Sequence, residues 1–263
     1  MNNNKLALLI GINYNNTSNQ LNGCINDVKN IANVLENKFD YNPENIMILT
    51  DDTDKKPTAN NILYSIYQLL IKCHRNKNIQ EVWFHYSGHG YYTRDHDNDE
   101  KDGQDECIVP LDYHKSGIIT DDTIYKYFKW FPSRVNCISV FDCCHAGTMM
   151  DLEYQYDFNS NQIKKENNKK MNSKILCISG CKDSQTSSEI LDFFEIGKYN
   201  GALTSALIMI LEKYDYHISI VDLVDEIKLY LKDNNFTQIP QLNSTYQINS
   251  QDLFCINKKP FIH

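Results

Sequence analysis

Short apolar runs alternate with segments of helical periodicity along this chain, and that alternation restricts it to folds in which a sheet lies between helices. Leu6–Ile10 reads as a first strand, closing on Gly11, and Ile25, Val28, Ile31, Ala32 and Leu35 then recur at the spacing of one helix face. Ile46–Thr50 reads as a second strand. Pro57-Thr58 starts a helix whose apolar face includes Ile62, Ile66, Leu69 and Leu70. Val82–Tyr86 and Cys137–Phe141 are the third and fourth strands, and both run out into glycine-punctuated loops. Residues 158–173 are rich in Asn and Lys and poor in apolar side chains, the composition of an exposed linker. Beyond it the pattern resumes with a strand at Ile175–Ser179, helices at Ala202–Leu211 and Ile220–Leu231, and a closing edge strand at Asp252–Ile256. These later strands are too few for a sheet of their own. The expected organisation is therefore a large subdomain over 1–157, a linker over 158–173, and a small subdomain over 174–263 that completes the same sheet.

Composition removes several classes of function. With a net charge of −8 and no clustered Lys or Arg, the chain is not expected to bind nucleic acid. No apolar run approaches the roughly 20 residues a membrane helix needs, and Leu6–Ile10 is too short for a signal peptide. The expectation is a cytoplasmic protein without membrane contact, in a reducing compartment where its nine cysteines stay thiols.

In open α/β sheets, reactive groups gather outside the carboxyl ends of the strands. Two such ends carry His and Cys: His85-Tyr-Ser-Gly-His-Gly90 follows the third strand, and Asp142-Cys-Cys-His-Ala-Gly147 follows the fourth. A thiol attacks only as thiolate, and a nearby imidazole can favour that form and later protonate a leaving amine. Cys144 and His89 are the candidates for this pair.

Taken together, Gly11-Ile-Asn-Tyr14, Gly23-Cys-Ile-Asn-Asp27, the His85–Gly90 and Asp142–Gly147 segments, Ser179-Gly-Cys-Lys-Asp-Ser-Gln-Thr186 and Pro240-Gln-Leu242 resemble the ordered motif set of type I metacaspases, and they extend over nearly the whole chain. The resemblance implies a caspase-like α/β fold, with a mostly parallel central sheet flanked by helices on both faces. It also implies a peptidase in which Cys144 is the nucleophile, His89 its acid/base partner, and the backbone amides of Gly90 and Cys144 the oxyanion donors. The spacing of the pair is close to the roughly 50 residues between the caspase His and Cys. Cys143 stands where the family often has serine, which makes it a neighbour of the nucleophile; the residues alone do not separate the two. His85 and His145 read as structural.

Further roles follow from the same resemblance. Asp27 and Asp142 match the carboxylates at the floor of the pocket for the residue before the cut, with Cys24 and Ser87 at its wall. Carboxylates there imply arginine or lysine, since a guanidinium pairs with them in bidentate fashion. Asp105, Asp121, Asp122 and Asp151 match positions that coordinate calcium, an activating ion rather than a chemical participant. The nearby run Asp95, Asp97, Asp99, Glu100 and Asp102 reads as solvated, because Glu100 occupies the place where an EF-hand loop needs glycine. Zinc on His85, His89, Cys143 and Cys144 is disfavoured, since glycines at a strand end make poor metal geometry. Lys164, Lys165, Lys169 and Lys170 in the linker are exposed basic sites at which the chain could process itself. The family pattern departs at Ala146, commonly serine, and no Pro/Gln-rich prodomain precedes Lys5. Basic peptides and proteins are the expected partners, and a monomer the expected state. The competing readings are a non-catalytic caspase-like scaffold and a clan relative that selects another residue before the cut.

Overall fold

A computed structural model of the chain describes residues 4–94, 103–144, 149–182, 202–236 and 238–254. Its centre is a run of parallel strands: β1 (Lys5–Gly11), β2 (Ile46–Thr50), β3 (Glu81–Ser87), β7 (Asn136–Asp142) and β10 (Lys174–Lys182). Every residue of β1 and β3 is buried, as expected of strands covered on both faces. Antiparallel strands β11 (Gln238–Ser244), β8 (Tyr154–Asp157) and β9 (Gln162–Lys165) extend the sheet to eight strands, in the order β2-β1-β3-β7-β10-β11-β8-β9. Strands on both sides of residues 158–173 therefore share one sheet.

The helices divide between the faces. Helices α2 (Ala59–Arg75) and α4 (Asp121–Phe128) pack with Leu6, Leu8, Ile10, Phe84 and Phe141 on one face. On the other, α1 (Cys24–Lys38), α5 (Ala202–Lys213) and α6 (Ile220–Asp233) pack with Ala7, Leu9, Trp83, Val140 and Ile178. This partition is the alternation of the strands made solid, since successive side chains leave a strand on opposite faces. Three of these helices begin on side-chain caps: Thr58, Thr120 and Ser219 accept from the backbone N–H of Asn61, Thr123 and Asp222.

Three features depart from the sequence reading. The expected linker contains a strand: β9 lies within it and forms a hairpin with β8, which ends just before it, on the edge of the sheet, resting on buried Tyr156 and partly buried Phe158 and Ile163. Instead of a closing strand at Asp252–Ile256, Leu253 makes an isolated bridge to Ser219, and β11 takes the place beside β10; Cys255 and Ile256 lie outside the described residues. A separate three-stranded sheet also forms from β4 (Gly90–Arg94), β5 (Gln104–Ile108) and β6 (Ile119–Thr120) and stands directly after His89. A short helix α3 (Tyr113–Ser116) links β5 to β6. Among the described residues, no helix is long and apolar enough to cross a membrane.

Gly11 sets where α1 begins relative to the sheet. A Cβ there would lie 2.7 Å from Val28 Cγ2 and 3.0 Å from the Cys24 carbonyl carbon, so only glycine lets the first turn of α1 press onto the end of β1. That contact brings Cys24 and Asp27 to the carboxyl ends of the strands.

Candidate active site

The sheet register alone lines up one rim of the site. Gly11, Ser87 and Asp142 are successive neighbours at the ends of β1, β3 and β7. The chain leaves β1 toward β2 on one side and returns to β3 on the other, so this rim lies at the topological switch of the sheet, where such folds open a crevice.

His89 follows β3 and is held from several directions. Its Nε2 lies 2.8 Å from the Asn19 carbonyl, its backbone N–H donates to Tyr14 Oη at 3.1 Å, and its carbonyl accepts from Tyr86 Oη at 2.7 Å. The Tyr14 ring packs on the imidazole with centroids 4.7 Å apart, and Tyr14 Oη–H is spent on the Val109 carbonyl at 2.6 Å. A carbonyl can only accept, so Nε2 carries the proton in the neutral ring and the lone pair falls to Nδ1. Burial lowers the pKa of His89, with the Asn19 contact opposing it, so the ring is neutral near pH 7.

The segment after β7 meets His89 through Gly90. A Cβ on Gly90 would overlap the Cys144 carbonyl oxygen and approach Cys143 Cβ to 3.2 Å, so the backbones of the two segments are in direct contact. Cys144 is 6% exposed, whereas Cys143 is fully buried in the apolar core beside Cys177 and Met149. Burial pushes the Cys143 thiol far above its ordinary value, which keeps it protonated and inert. Of the two adjacent cysteines, only Cys144 keeps any exposure to solvent. Cys24, Cys73, Cys107, Cys137, Cys143, Cys144 and Cys177 are free thiols.

The four residues expected to line the specificity pocket also converge. Ser87 Oγ donates to Asp27 Oδ2 at 2.7 Å, and the Cys24 thiol hydrogen-bonds Ser87 while feeling the charges of Asp27 and Asp142. Asp27 is pushed up to about 7, first by burial and then by the Asp142 charge. Asp142 Oδ2 accepts the Thr204 N–H at 2.7 Å, in the first turn of α5, where the helix dipole favours an anion. Fully buried His85 holds Thr204 Oγ1 at 3.1 Å through Nε2 and is driven down to about 3 by burial. It is a neutral structural histidine.

The four expected metal positions are less uniform. Asp121, the first residue of α4, is 1% exposed; Oδ1 accepts the Asp122 N–H, and Oδ2 has no hydrogen-bond partner among the described residues. Its carboxyl is raised to about 9 by burial and by the charges of Asp151, Glu106 and Asp105. Asp105 and Asp151 are buried beside it, whereas Asp122 pairs with Lys126 on the outer side of α4 at 3.1 Å. Glu106, part of the same acidic run but not among the expected metal positions, thus also acts on the cluster. In the arrangement seen here, no three His, Cys, Asp or Glu side chains among the described residues converge closely enough to hold a metal, and Lys169 pairs with Asp151 at 2.8 Å. The charge and hard oxygens of Asp105, Asp121 and Asp151 would suit calcium, but in this arrangement they do not come together as a metal site among the described residues.

The candidate processing sites are not equivalent. Lys164 and Lys165 lie in β9 and pair with Asp157 and Glu153, while Lys169 and Lys170 lie in the loop that follows. Asp95, Asp97, Asp99, Glu100, Asp102, His145, Ala146, Gly147 and the 183–186 portion of the Ser179–Thr186 motif are outside the described residues. Sequence reasoning missed Asn19, Tyr86 and Thr204. The Asn19 contact to His89 and the Thr204 contact to Asp142 use backbone atoms, for which no side-chain signal exists; Tyr86 lay within a quoted motif, and its hydroxyl becomes meaningful only once the loop folds back.

Comparisons with known proteins show the family and the fold. A family model described as metacaspase, peptidase C14 domain, matches residues 5–153. Metacaspase-1 of Cryptococcus neoformans var. neoformans serotype D is 33% identical over 95% of this chain, and metacaspase-1 of Debaryomyces hansenii 32% identical over 92%. The chain spans 64% and 65% of their lengths, and 77% of metacaspase-1B from Aspergillus terreus, at 32% identity over 94% of this chain. Among solved structures, protein GSU0716 from Geobacter sulfurreducens superposes with a TM-score of 0.61 at 23% identity, covering 95% of this chain and 99% of that one. Caspase-1 from Spodoptera frugiperda superposes at 0.54 and 11%, covering 97% and 92%. At such identities these two establish the caspase-like fold alone.

Proposed function

Since the chain belongs to the metacaspase family, we propose that it is a cysteine endopeptidase that cuts after arginine or lysine, with Cys144 as nucleophile and His89 as acid and base. The observation that carries the reading is the fixed tautomer of His89: Nε2–H is committed to the Asn19 carbonyl and leaves the lone pair on Nδ1, while Gly90 lies against Cys144. In the proposed reaction Nδ1 takes the Cys144 proton and the thiolate adds to the scissile carbonyl carbon. The oxyanion is held by the amides of Gly90 and Cys144. As the C–N bond breaks, the imidazolium gives its proton to the leaving amine, and a thioester remains. Water, deprotonated by the same nitrogen, then releases the acid and restores the thiol.

Support for basic specificity comes from Asp27 and Asp142. Asp27 is a buried carboxylate whose proton affinity burial and the Asp142 charge raise; a bound cation would relieve that repulsion, and a guanidinium offers donors to both. Calcium is proposed as activator, with Asp105, Asp121 and Asp151 supplying oxygens; it would cancel their repulsion and order the segment that carries β5 and α4.

The test is hydrolysis of fluorogenic peptides ending in Arg, Lys, Asp or Asn, with and without calcium, by the full chain and by Cys144→Ala. The expected outcome is cleavage of the Arg and Lys peptides only, stimulated by calcium and reduced roughly 10⁴-fold or more by the substitution. Cleavage after Asn or Asp would favour another clan specificity. No cleavage of any peptide would favour a scaffold.

A further inference from the structure

The two carboxylates of the specificity pocket are held by different helices. Asp27 belongs to α1 and accepts from Ser87 Oγ at 2.7 Å, whereas Asp142, at the end of β7, accepts the Thr204 N–H of α5 at 2.7 Å. Ser87 and Asp142 are register neighbours, and His85 stands two residues before Ser87 on β3. All three side chains therefore leave the sheet on the face that Trp83 and Val140 share with α1 and α5.

The direction of the N–H that reaches Asp142 depends on how the first turn of α5 is set down. Leu203, Ala206, Leu207 and Ile210 hold the helix in the apolar core, but apolar packing is non-directional and does not by itself fix the aim of one amide. A directional tie is supplied by the Thr204 hydroxyl, 3.1 Å from His85 Nε2 across 119 residues of sequence. Thr204 is 1% exposed, and His85 and Asp142 are fully buried, so water does not compete for these bonds. His85 Nδ1 has no hydrogen-bond partner among the described residues, which leaves Thr204 as the partner of the ring. The hydroxyl can donate or accept, so either tautomer of His85 makes the bond.

Resting on the basic-specificity reading above, we propose that Thr204, held by His85, is a positioning residue of the specificity pocket: its hydroxyl fixes the start of α5 so that its N–H orients the Asp142 carboxylate toward the substrate. Arginine and lysine differ in what they ask of that orientation. A guanidinium is a rigid planar fork that needs its carboxylate in a set direction, whereas an ammonium is a point charge with rotatable donors. Loosening the Thr204–His85 tie therefore harms arginine more than lysine. The preference between the two basic residues is set behind the pocket, by a helix that contributes no charge to it.

The experiment measures kcat/KM on matched peptides ending in Arg and in Lys, together with the melting temperature, for the full chain and three variants. Thr204→Val keeps the N–H and removes the hydroxyl. Its kcat/KM on the Arg peptide should fall about tenfold, the scale of one hydrogen bond, and on the Lys peptide about threefold, so the Arg-to-Lys ratio drops about threefold. Thr204→Ser retains the hydroxyl and should retain the parental ratio. Thr204→Val combined with His85→Phe leaves no orphaned ring nitrogen in the core; it should regain melting temperature lost in Thr204→Val while its ratio stays low. Equal losses on the two peptides, a ratio that returns with the melting temperature, or a ratio in Thr204→Ser as low as in Thr204→Val would overturn the positioning role and leave basic specificity standing. A parent protein that cuts neither peptide would overturn both.

Discussion

Asp27 shows how one residue can serve the proposed function at the expense of the fold. It lies 6% exposed in the first turn of α1, accepts from Ser87, and is raised to about 7 by burial and by Asp142. A carboxyl whose folded pKa lies above its unfolded value adds stability that is complete below the unfolded value, near 4, and lost as pH rises through about 7. Asp27→Asn keeps the oxygen that accepts from Ser87 and removes the charge. It should therefore raise the melting temperature at pH 8, by a free energy of roughly 1–2 kcal/mol, and leave it unchanged below about pH 4. The same variant should lose about 100-fold in kcat/KM on an Arg peptide. In the parent, kcat/KM on that peptide should climb with pH through about 7, because a basic side chain needs the ionised carboxylate. A melting temperature equally changed at both pH values would contradict this account. His89, Asp27 and Asp142 were legible because their chemistry resides in side chains with motif spacing. Asn19 was not, because it acts through a carbonyl that any residue would supply.

Among the elements, β1 and β3 carry the site on their ends and are locked at their starts. Lys5, 1% exposed, donates to the Phe39 carbonyl at 2.8 Å and pairs with Glu81, its register neighbour on β3, at 3.2 Å; Tyr41 Oη donates to the same carboxylate at 2.8 Å. Removing one partner of a buried pair leaves the other charge uncompensated, so Glu81→Ala should cost about 3 kcal/mol in urea unfolding. Lys5→Met combined with Glu81→Leu should cost much less, and equal losses in the two proteins would count against a role for the pair. The parallel strands were readable because, buried on both faces, they are continuous apolar runs. Strand β11, Gln-Ile-Pro-Gln-Leu-Asn-Ser, lacks that signature and carries Pro240 where β8 does not pair with it. The β8–β9 hairpin hides in a polar stretch because an edge hairpin needs few buried side chains.

Across the whole molecule, the two ends of the sheet are treated differently. The β9 end is only Gln162–Lys165 long and carries Lys164 and Lys165, each half exposed, a charged rim that opposes pairing with another sheet. Sedimentation should accordingly give a monomer, and a stable dimer at micromolar concentration would contradict this. The same strand bears on self-processing: a cut at Lys164 or Lys165 requires β9 to leave its hairpin, whereas Lys169-Lys170 is in a loop. Sequencing of calcium-induced fragments should therefore find the first new terminus at Lys170 or Met171. Composition predicts an exposed segment over 158–173; pairing within it depends on a neighbouring strand far along the chain, and no local pattern announces it.

The central claim is that Cys144, and not its neighbour Cys143, becomes acylated by substrates with a basic residue before the cut. Incubation of the full chain with a peptidyl-arginine chloromethyl ketone, followed by intact mass measurement and peptide mapping, tests it most directly. The account predicts one adduct, on Cys144, suppressed by a competing Arg peptide and not formed with the aspartyl reagent. An adduct on Cys143, or equal labelling by the aspartyl reagent, would contradict it.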